Sequence, residues 1–389
     1  MQKYDFDTIH NRKGTGCFKA DAQQMMYGRE DLLPLWVADM EFAVAPEIQK
    51  AMADRLRHPI FGYNLRLPAY YNSIINWISN RYSWEVKKEW IINTPGIVTA
   101  ISIAVLTSTQ PGDSIVIQTP VYDPFYEAVR SHGRNLLTNP LKLINGKYEI
   151  DYADLEQKLA QSTMFILCSP HNPVGRVWTQ EELMQIGFLC RRYNVTVVSD
   201  EIHADIVFDG RKHIPFANLD DFAEFTISCY SPGKSFNLAG LCTSAIVIPN
   251  QEIRQSFADY VQSMHLFLGN TFGIIALQAA YTKGEDWLKS LVKYLETNRD
   301  WLISFFAENL PQFNIVKPEG TYLAWADFRS LNISDDELMD ILVNQAGLAL
   351  SLGRTYGEEG KGFVRINFAC PFSMLKQACD RLKDTFGKG

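Results

Sequence analysis

Along the middle of the chain, short apolar runs alternate with stretches of helical period. The runs are SIVIQTP (114–120), MFILCSP (164–170), VTVVSDE (195–201), FTISCYS (225–231) and TSAIVIP (243–249). Each is short, continuous and rich in β-branched residues, which predicts strands buried on both faces of a sheet. Between two of them, TQEELMQIGFLCRRYN (179–194) carries its apolar residues at helical spacing. Thr179, with Glu182 three residues on, matches a capping box at the start of that helix. Strand, helix, strand at this spacing implies βαβ units and a mostly parallel sheet.

The pattern changes beyond residue 284. Trp287, Leu288, Leu291, Leu295, Trp301, Leu302, Phe305 and Phe306 recur at helical spacing. They predict one helix over Glu285–Glu308, about 36 Å long at ~1.5 Å per residue. After it, FNIVKPEGTYLAWADF and FVRINFAC read as strands of a second, smaller α+β unit. No internal repeat or Gly/Ser-rich linker separates the two units, so they are expected to pack directly against each other.

Composition narrows the classes. The chain has 389 residues, 47% hydrophobic and 21% charged, an ordinary globular balance. Its 37 basic against 44 acidic residues give a net charge of −7, with no basic stripe, so no nucleic-acid partner is expected. No apolar run approaches the roughly 18 residues of a membrane span. The polar start MQKYDFDTIHNRKG lacks the apolar core of a signal peptide, which points to a cytoplasmic protein. Seven cysteines are scattered and none forms a CxxC pair, so they read as reduced, mostly packed thiols rather than zinc ligands.

Two nucleotide motifs fail. Gly233–Ser235 spells GKS, but a P-loop needs glycine five residues before Gly233, where Ser228 stands. No G-x-G-x-x-G follows a strand. Open α/β sheets bind ligands at the carboxyl ends of their strands, and the chemically suggestive residues fall there. Asp200 closes the run VTVVS; alone it reads equally well as a cap or a salt-bridge partner. Lys234 follows FTISCY in the small, apolar setting SPGKSFNLAG, where a lowered pKa would make its amine a nucleophile able to form a Schiff base. It is the only lysine between Lys212 and Lys283. Asn172 sits in the turn SPHNPVGRVW after MFILC. Gly96 opens a helix in NTPGIVTAIS, whose first N–H groups suit a phosphate. Tyr122 places an aromatic ring on the same rim. A phosphate-ready helix start, an aromatic, Asn, Asp and Lys, all at strand ends, are together what a phosphorylated pyridine aldehyde needs.

Over essentially its whole length the chain resembles the fold-type I pyridoxal-5′-phosphate (PLP) enzymes of the class I/II aminotransferase superfamily. More narrowly it is similar to the bacterial cystathionine β-lyase group of C–S lyases, which includes the maltose-regulon modulator. The narrower resemblance rests on LPLWVADMEF (33–42), HPIFGY (58–63), SPHNPVGRVW, SDEIHADIV, YSPGKSFNLAGL and FVRINFACP (363–371). It implies a PLP-dependent transferase-like α/β fold. A large PLP-binding domain over 61–284 would hold a mostly parallel, seven-stranded sheet. A smaller α+β domain would combine 1–60 with 285–389.

The resemblance also implies roles. Lys234 would carry the cofactor aldehyde and move the Cα proton, Asp200 would pair with the ring nitrogen, and Tyr122 would stack on the ring. Asn172 and His203 would lie near the ring hydroxyl. The backbone amides of Ile97 and Val98 and the Ser231 hydroxyl would hold the phosphate, helped by Tyr63 from the other subunit of a homodimer with shared active sites. Arg365 would clamp the substrate α-carboxylate, with Trp36 and Asn172 shaping that pocket. Three departures stand out: Cys242 occupies the position of a phosphate-binding arginine, Pro371-Phe372-Ser373 replaces a usual Pro-Arg-Ser, and Phe18-Lys19-Ala20-Asp21 replaces a Lys-Trp-Asp run. The implied activity is β-elimination from cystathionine or a related L-cysteine conjugate. Aminotransfer with the same residues is the alternative, and a regulatory binding protein of the modulator kind is a second.

Overall fold

The five apolar runs form the centre of one sheet in the computed structural model, which describes residues 4–387. Residues 1–3 and 388–389, the outer ends of the expected smaller domain, lie outside the described residues. The strands are β1 (Ile91–Thr94), β2 (Ser114–Thr119), β3 (Asn135–Pro140), β4 (Met164–Cys168), β5 (Thr196–Asp200), β6 (Thr226–Tyr230) and β7 (Ser244–Val247). Their order is β1-β7-β6-β5-β4-β2-β3. β7 runs antiparallel to β1 and β6, while the remaining pairs are parallel. β4 and β6 are buried at every position, as continuous apolar strands in a helix-covered sheet must be. The two strands that the apolar runs did not signal, β1 and β3, are the sheet's edges. β3 carries Asn135 and Thr138, because an edge strand is only half covered, whereas Asn139 is fully buried between Gln118 and Asp154.

Helices cover both faces. α1 (Ile97–Ser108) packs Ile101 and Val105 on Ile117, Val198 and Ile246. On the other face α2 (Gln180–Arg192) packs Leu183 and Ile186 on Phe165 and Val197, and its Thr179–Glu182 capping box is formed. α3 (Pro232–Ser235) is a single short turn after β6. α4 (Glu285–Asn309) extends one residue past the expected end and buries Trp287, Leu288, Leu291, Leu295, Leu302 and Phe306. α5 (Phe372–Phe386) closes the described chain.

A second, antiparallel sheet takes the order β8 (Asn314–Val316), β9 (Leu323–Asp327), β11 (Phe363–Asn367), β10 (Ser351–Leu352). Phe6, Met40 and Phe42 near the N-terminus share one hydrophobic core with Leu295 and Leu302 of α4 and with Leu323 and Ile366 of this sheet.

A buried ionic clamp joins the two sheets beside the turn that carries Asn172. Arg176 is 1% exposed, and its Nε lies 2.9 Å from Glu319 and its Nη2 2.8 Å from Glu182. Glu319 also accepts the Val177 N–H at 3.0 Å, while the Glu319 and Gly320 N–H groups donate to the Gly175 carbonyl. Gly175 sits at φ +72°, and a Cβ there would come within 2.9 Å of Pro318, so the close approach requires glycine. Removing Glu319 would leave the buried Arg176 with Glu182 alone and the Val177 N–H without its acceptor. Glu319→Ala is expected to cost about 3 kcal/mol of stability, read from the urea unfolding midpoint.

Candidate active site

β4, β5 and β6 end side by side, and their register sets Cys168, Asp200 and Cys229 abreast. The loops beyond these ends deliver Asn172, His203, and the Ser231–Lys234 turn to one cavity of about 370 Å3. The start of α1 closes the opposite side with Gly96, Ile97 and Val98, and Tyr122 comes from the loop after β2. The first N–H groups of a helix have no partner inside it, so this wall offers donors to an anion.

Asp200 is 3% exposed, yet no ion pair reaches it among the described residues. One carboxylate oxygen accepts the Ile202 N–H at 3.1 Å. Burial pushes its carboxyl up to about 7, against the pull of the Ile202 N–H and the Lys234 charge.

Lys234 lies in α3, a turn fixed from both sides. The Ser231 hydroxyl accepts the Gly233 N–H at 3.0 Å and donates to the Thr243 carbonyl at 2.8 Å. Ser235 donates to Asp205 at 2.6 Å, and Asp205 is itself held by Tyr82 and Arg81. Lys234 Nζ donates to the Ala38 carbonyl at 2.6 Å. Burial, reinforced by the positive charge of Arg365, lowers its ammonium to about 8, so a usable fraction is the free amine near neutral pH.

His203 is buried with its Nδ1 unpartnered; its burial and the nearby Lys234 and Arg365 charges keep it neutral. Arg365 projects from β11 and is 5% exposed. Its Nη2 donates to the Trp36 carbonyl at 2.6 Å and its Nη1 to Asn172 Oδ1 at 3.3 Å, while its guanidinium lies over the Tyr356 ring. Trp36 is fixed by its indole N–H on the Lys19 carbonyl at 3.0 Å. Arg365 and Trp36 line a second cavity of about 410 Å3, which shares Tyr122 and Lys234 with the first.

Tyr63 is not brought to either cavity. It is 93% exposed, in an irregular stretch with Ile60, Phe61, Leu65 and Leu67 also turned outward. Cys242 lies on the rim of the first cavity, exposed and in the left-handed region at φ +44°; it brings no positive charge there.

The sequence reading missed the strap over the site. In residues 36–42 the main-chain carbonyls are gripped one after another. Arg365 holds Trp36, Asn367 holds Val37 and Asp39, Lys234 and Tyr322 hold Ala38, and Asn237 holds Met40 and Phe42. Lys19, 1% exposed, and Arg12 fix the strap from outside through Glu41 and Asp39. The block LPLWVADMEF was visible, but a carbonyl acceptor carries no residue signature.

A buried carboxyl without a cation, an amine near neutrality, an orphaned imidazole nitrogen and an open helix start form a coherent donor set. They fit a flat aldehyde with a basic ring nitrogen at one end and a phosphate at the other. The model of the aminotransferase class I and II family matches residues 30–382. The chain belongs to the class I and II aminotransferase family. Within it, the chain is 43% identical over 382 residues to the cystathionine β-lyase PatB of Bacillus subtilis, covering 97% of this chain and 99% of the relative. It is 35% identical to protein MalY of Escherichia coli over 96% of each. Among solved structures, cystalysin of Treponema denticola, which contains a PLP cofactor, superposes with a TM-score of 0.95 at 34% identity over 98% of both chains. The PLP-bound C–S lyase of Staphylococcus hominis superposes at 0.92 and 32% identity, covering 98% of both.

The Asp200 shift in this family member has a thermodynamic sign. A carboxyl raised from 3.8 to about 7 costs the cofactor-free protein nothing below its unfolded value. The cost grows as pH rises through that window and is constant above it, reaching on the order of 4 kcal/mol. Asp200→Asn is therefore expected to stabilise the cofactor-free protein, with a gain larger at about pH 8 than at about pH 4. Urea unfolding at the two pH values measures it.

Proposed function

We propose that this protein is a PLP-dependent carbon–sulfur β-lyase acting on cystathionine or a related L-cysteine conjugate. The observation that carries the reading is the pairing of a near-neutral Lys234 with an uncompensated, buried Asp200 in one cavity, with Arg365 in the adjoining one. The cystathionine β-lyase and C–S lyase names of the relatives support it.

When bound, PLP supplies an aldehyde that joins to an amine and a protonated ring that draws electrons from the substrate Cα. In this reading Lys234 holds the cofactor and then takes the Cα proton. Asp200 would keep the proton on the ring nitrogen, and an ion pair there would remove the cost of its burial. Asn172 and His203 would lie near the ring hydroxyl, Tyr122 would cover the ring, and the N–H groups of Ile97 and Val98 with the Ser231 hydroxyl would hold the phosphate. Arg365, with Trp36 beside it, orients the substrate carboxylate so that the Cα proton faces Lys234. A thiolate then leaves Cβ; thiols leave readily because their pKa is only about 8.5. Water completes the balance, and cystathionine becomes homocysteine, pyruvate and ammonia.

The same reading makes the protein a homodimer. The exposed apolar stretch around Tyr63 supports it, since such a patch marks an interaction surface. The partner's Tyr63 would reach the phosphate at the wall where Cys242 supplies no charge. The proposed division into 61–284 and 1–60 with 285–389 is supported by the pairing of Leu33 and Pro34 with Leu348 and Ala349. The scattered free cysteines support a cytoplasmic setting.

Incubation of the purified, PLP-loaded protein with L-cystathionine is expected to release thiol and pyruvate together. A 2-oxo acid with a new amino acid and no thiol would instead mark aminotransfer. Lys234→Ala is expected to lose the borohydride-reducible link between cofactor and protein, seen by mass spectrometry, and to lower turnover at least about a hundredfold. Tyr63→Phe is expected to weaken cofactor retention by about 0.5–3 kcal/mol in a cofactor titration, the range for one lost hydrogen bond to a charged or buried group.

A further inference from the structure

Besides Arg365, the second cavity is lined by a pair of opposite charges for which the elimination chemistry has no use. Asp123 and Arg354 both line it, together with Trp36, Tyr27, Leu350 and Leu352 as apolar wall. Asp123 precedes the helix Pro124–Arg130, and its carboxylate caps no helix N–H and makes no ion pair among the described residues. Arg354 stands on the helical turn Gly353–Tyr356, just after the strand β10 that pairs with Arg365. Its one ion pair among the described residues, to Asp336 at 2.6 Å, is a surface pair whose acid is 82% exposed. Such a pair contributes little and is readily exchanged for a better ligand.

The two loops are held together. The Tyr356 carbonyl accepts the Val121 N–H and the Tyr126 hydroxyl, each at 2.9 Å, and the Tyr356 ring carries the Arg365 guanidinium at 4.9 Å. Tyr356 is therefore the fixed point around which Asp123, Arg354 and Arg365 are arranged. One guanidinium serves an α-carboxylate beside Lys234. The Asp123 carboxylate lies within reach of that guanidinium's charge, and a second guanidinium, Arg354, lines the same cavity.

Resting on the β-lyase reading above, we propose that Asp123 and Arg354 form a distal subsite that receives the second amino-acid end of the substrate. Asp123 takes the distal ammonium and Arg354 the distal carboxylate, while the apolar wall covers the methylenes and sulfur between the two ends. The ligand class is an L-cysteine thioether that is zwitterionic at both ends. Simple S-alkyl cysteines fill only the inner half.

The test compares two substrates in the PLP-loaded enzyme. Pyruvate release from L-cystathionine and from S-methyl-L-cysteine is measured for the wild type, Arg354→Met and Asp123→Asn. Both substrates depend equally on Lys234, so the ratio of their kcat/KM values reports the subsite alone. Each variant is expected to lower that ratio about tenfold, through KM for cystathionine, the scale of one charge-assisted hydrogen bond. Arg354→Lys is expected to recover part of the loss. In parallel, 2,7-diaminosuberate, the carbon isostere of cystathionine, is titrated calorimetrically, and its Kd is expected to rise about tenfold in the first two variants. A ratio and a Kd both within about twofold of wild type would overturn the subsite. Absence of thiol from both substrates would remove the lyase reading, while the isostere titration would still decide the subsite.

Discussion

A carboxyl group buried without a cation is a costly arrangement, and the site is organised around one. The contrast with the neighbouring residue is instructive. Glu201 is as buried as Asp200, but it accepts from Ser199, His213, the Phe216 N–H and Tyr230, so its charge is compensated within the fold. Asp200 has one N–H and a distant ammonium. One acid is thus finished by the chain that carries it, and the other is left open toward a cavity. Buried ionic groups usually carry a compensating partner, and among the described residues no ion pair supplies one to Asp200.

The same incompleteness shapes the groups around it. The turn bearing Lys234 is tied by Ser231 on one side and by Ser235 and Asp205 on the other, so the amine is held in place by more bonds than a loop lysine requires. Its burial, with the Arg365 charge and against the pull of Asp39 and Asp200, keeps the amine close to its reactive form. Arg365 is held against Trp36, Asn172 and Tyr356 before any ligand arrives. Preorganisation of this kind shifts the cost of ordering these side chains from binding to folding.

The central strands and the residues at their ends were legible because both signals are local. A buried parallel strand is a continuous apolar run, and its carboxyl end is where the run stops, so Asn172, Asp200 and Lys234 could be placed from the chain alone. The edge strands were not legible, because partial exposure breaks the run in β3 and the buried, hydrogen-bonded Asn93 and Thr94 cut it short in β1. Nor was the strap over residues 36–42, which works through carbonyl groups that every residue possesses. Tyr63 shows another limit: its position in HPIFGY could be quoted, but nothing in one chain brings it to a cavity. The buried Lys19 among Asp39 and Glu41 was likewise hidden, since a lysine in a polar stretch reads as solvated until the fold closes over it.

The strap also sets an order in time. Leu33 and Pro34 pair with Leu348 and Ala349, and Val37 and Asp39 are held by Asn367. On a ribosome adding about 5–20 residues per second, the segment that must lie over the lysine is made tens of seconds before the residues that hold it there. The large sheet, complete at Val247, can assemble while that segment is still loose. The Ala38 carbonyl reaches its final place beside the amine only when nearly the whole chain has emerged, so a nascent or truncated chain can own every strand-end residue and still lack a finished site.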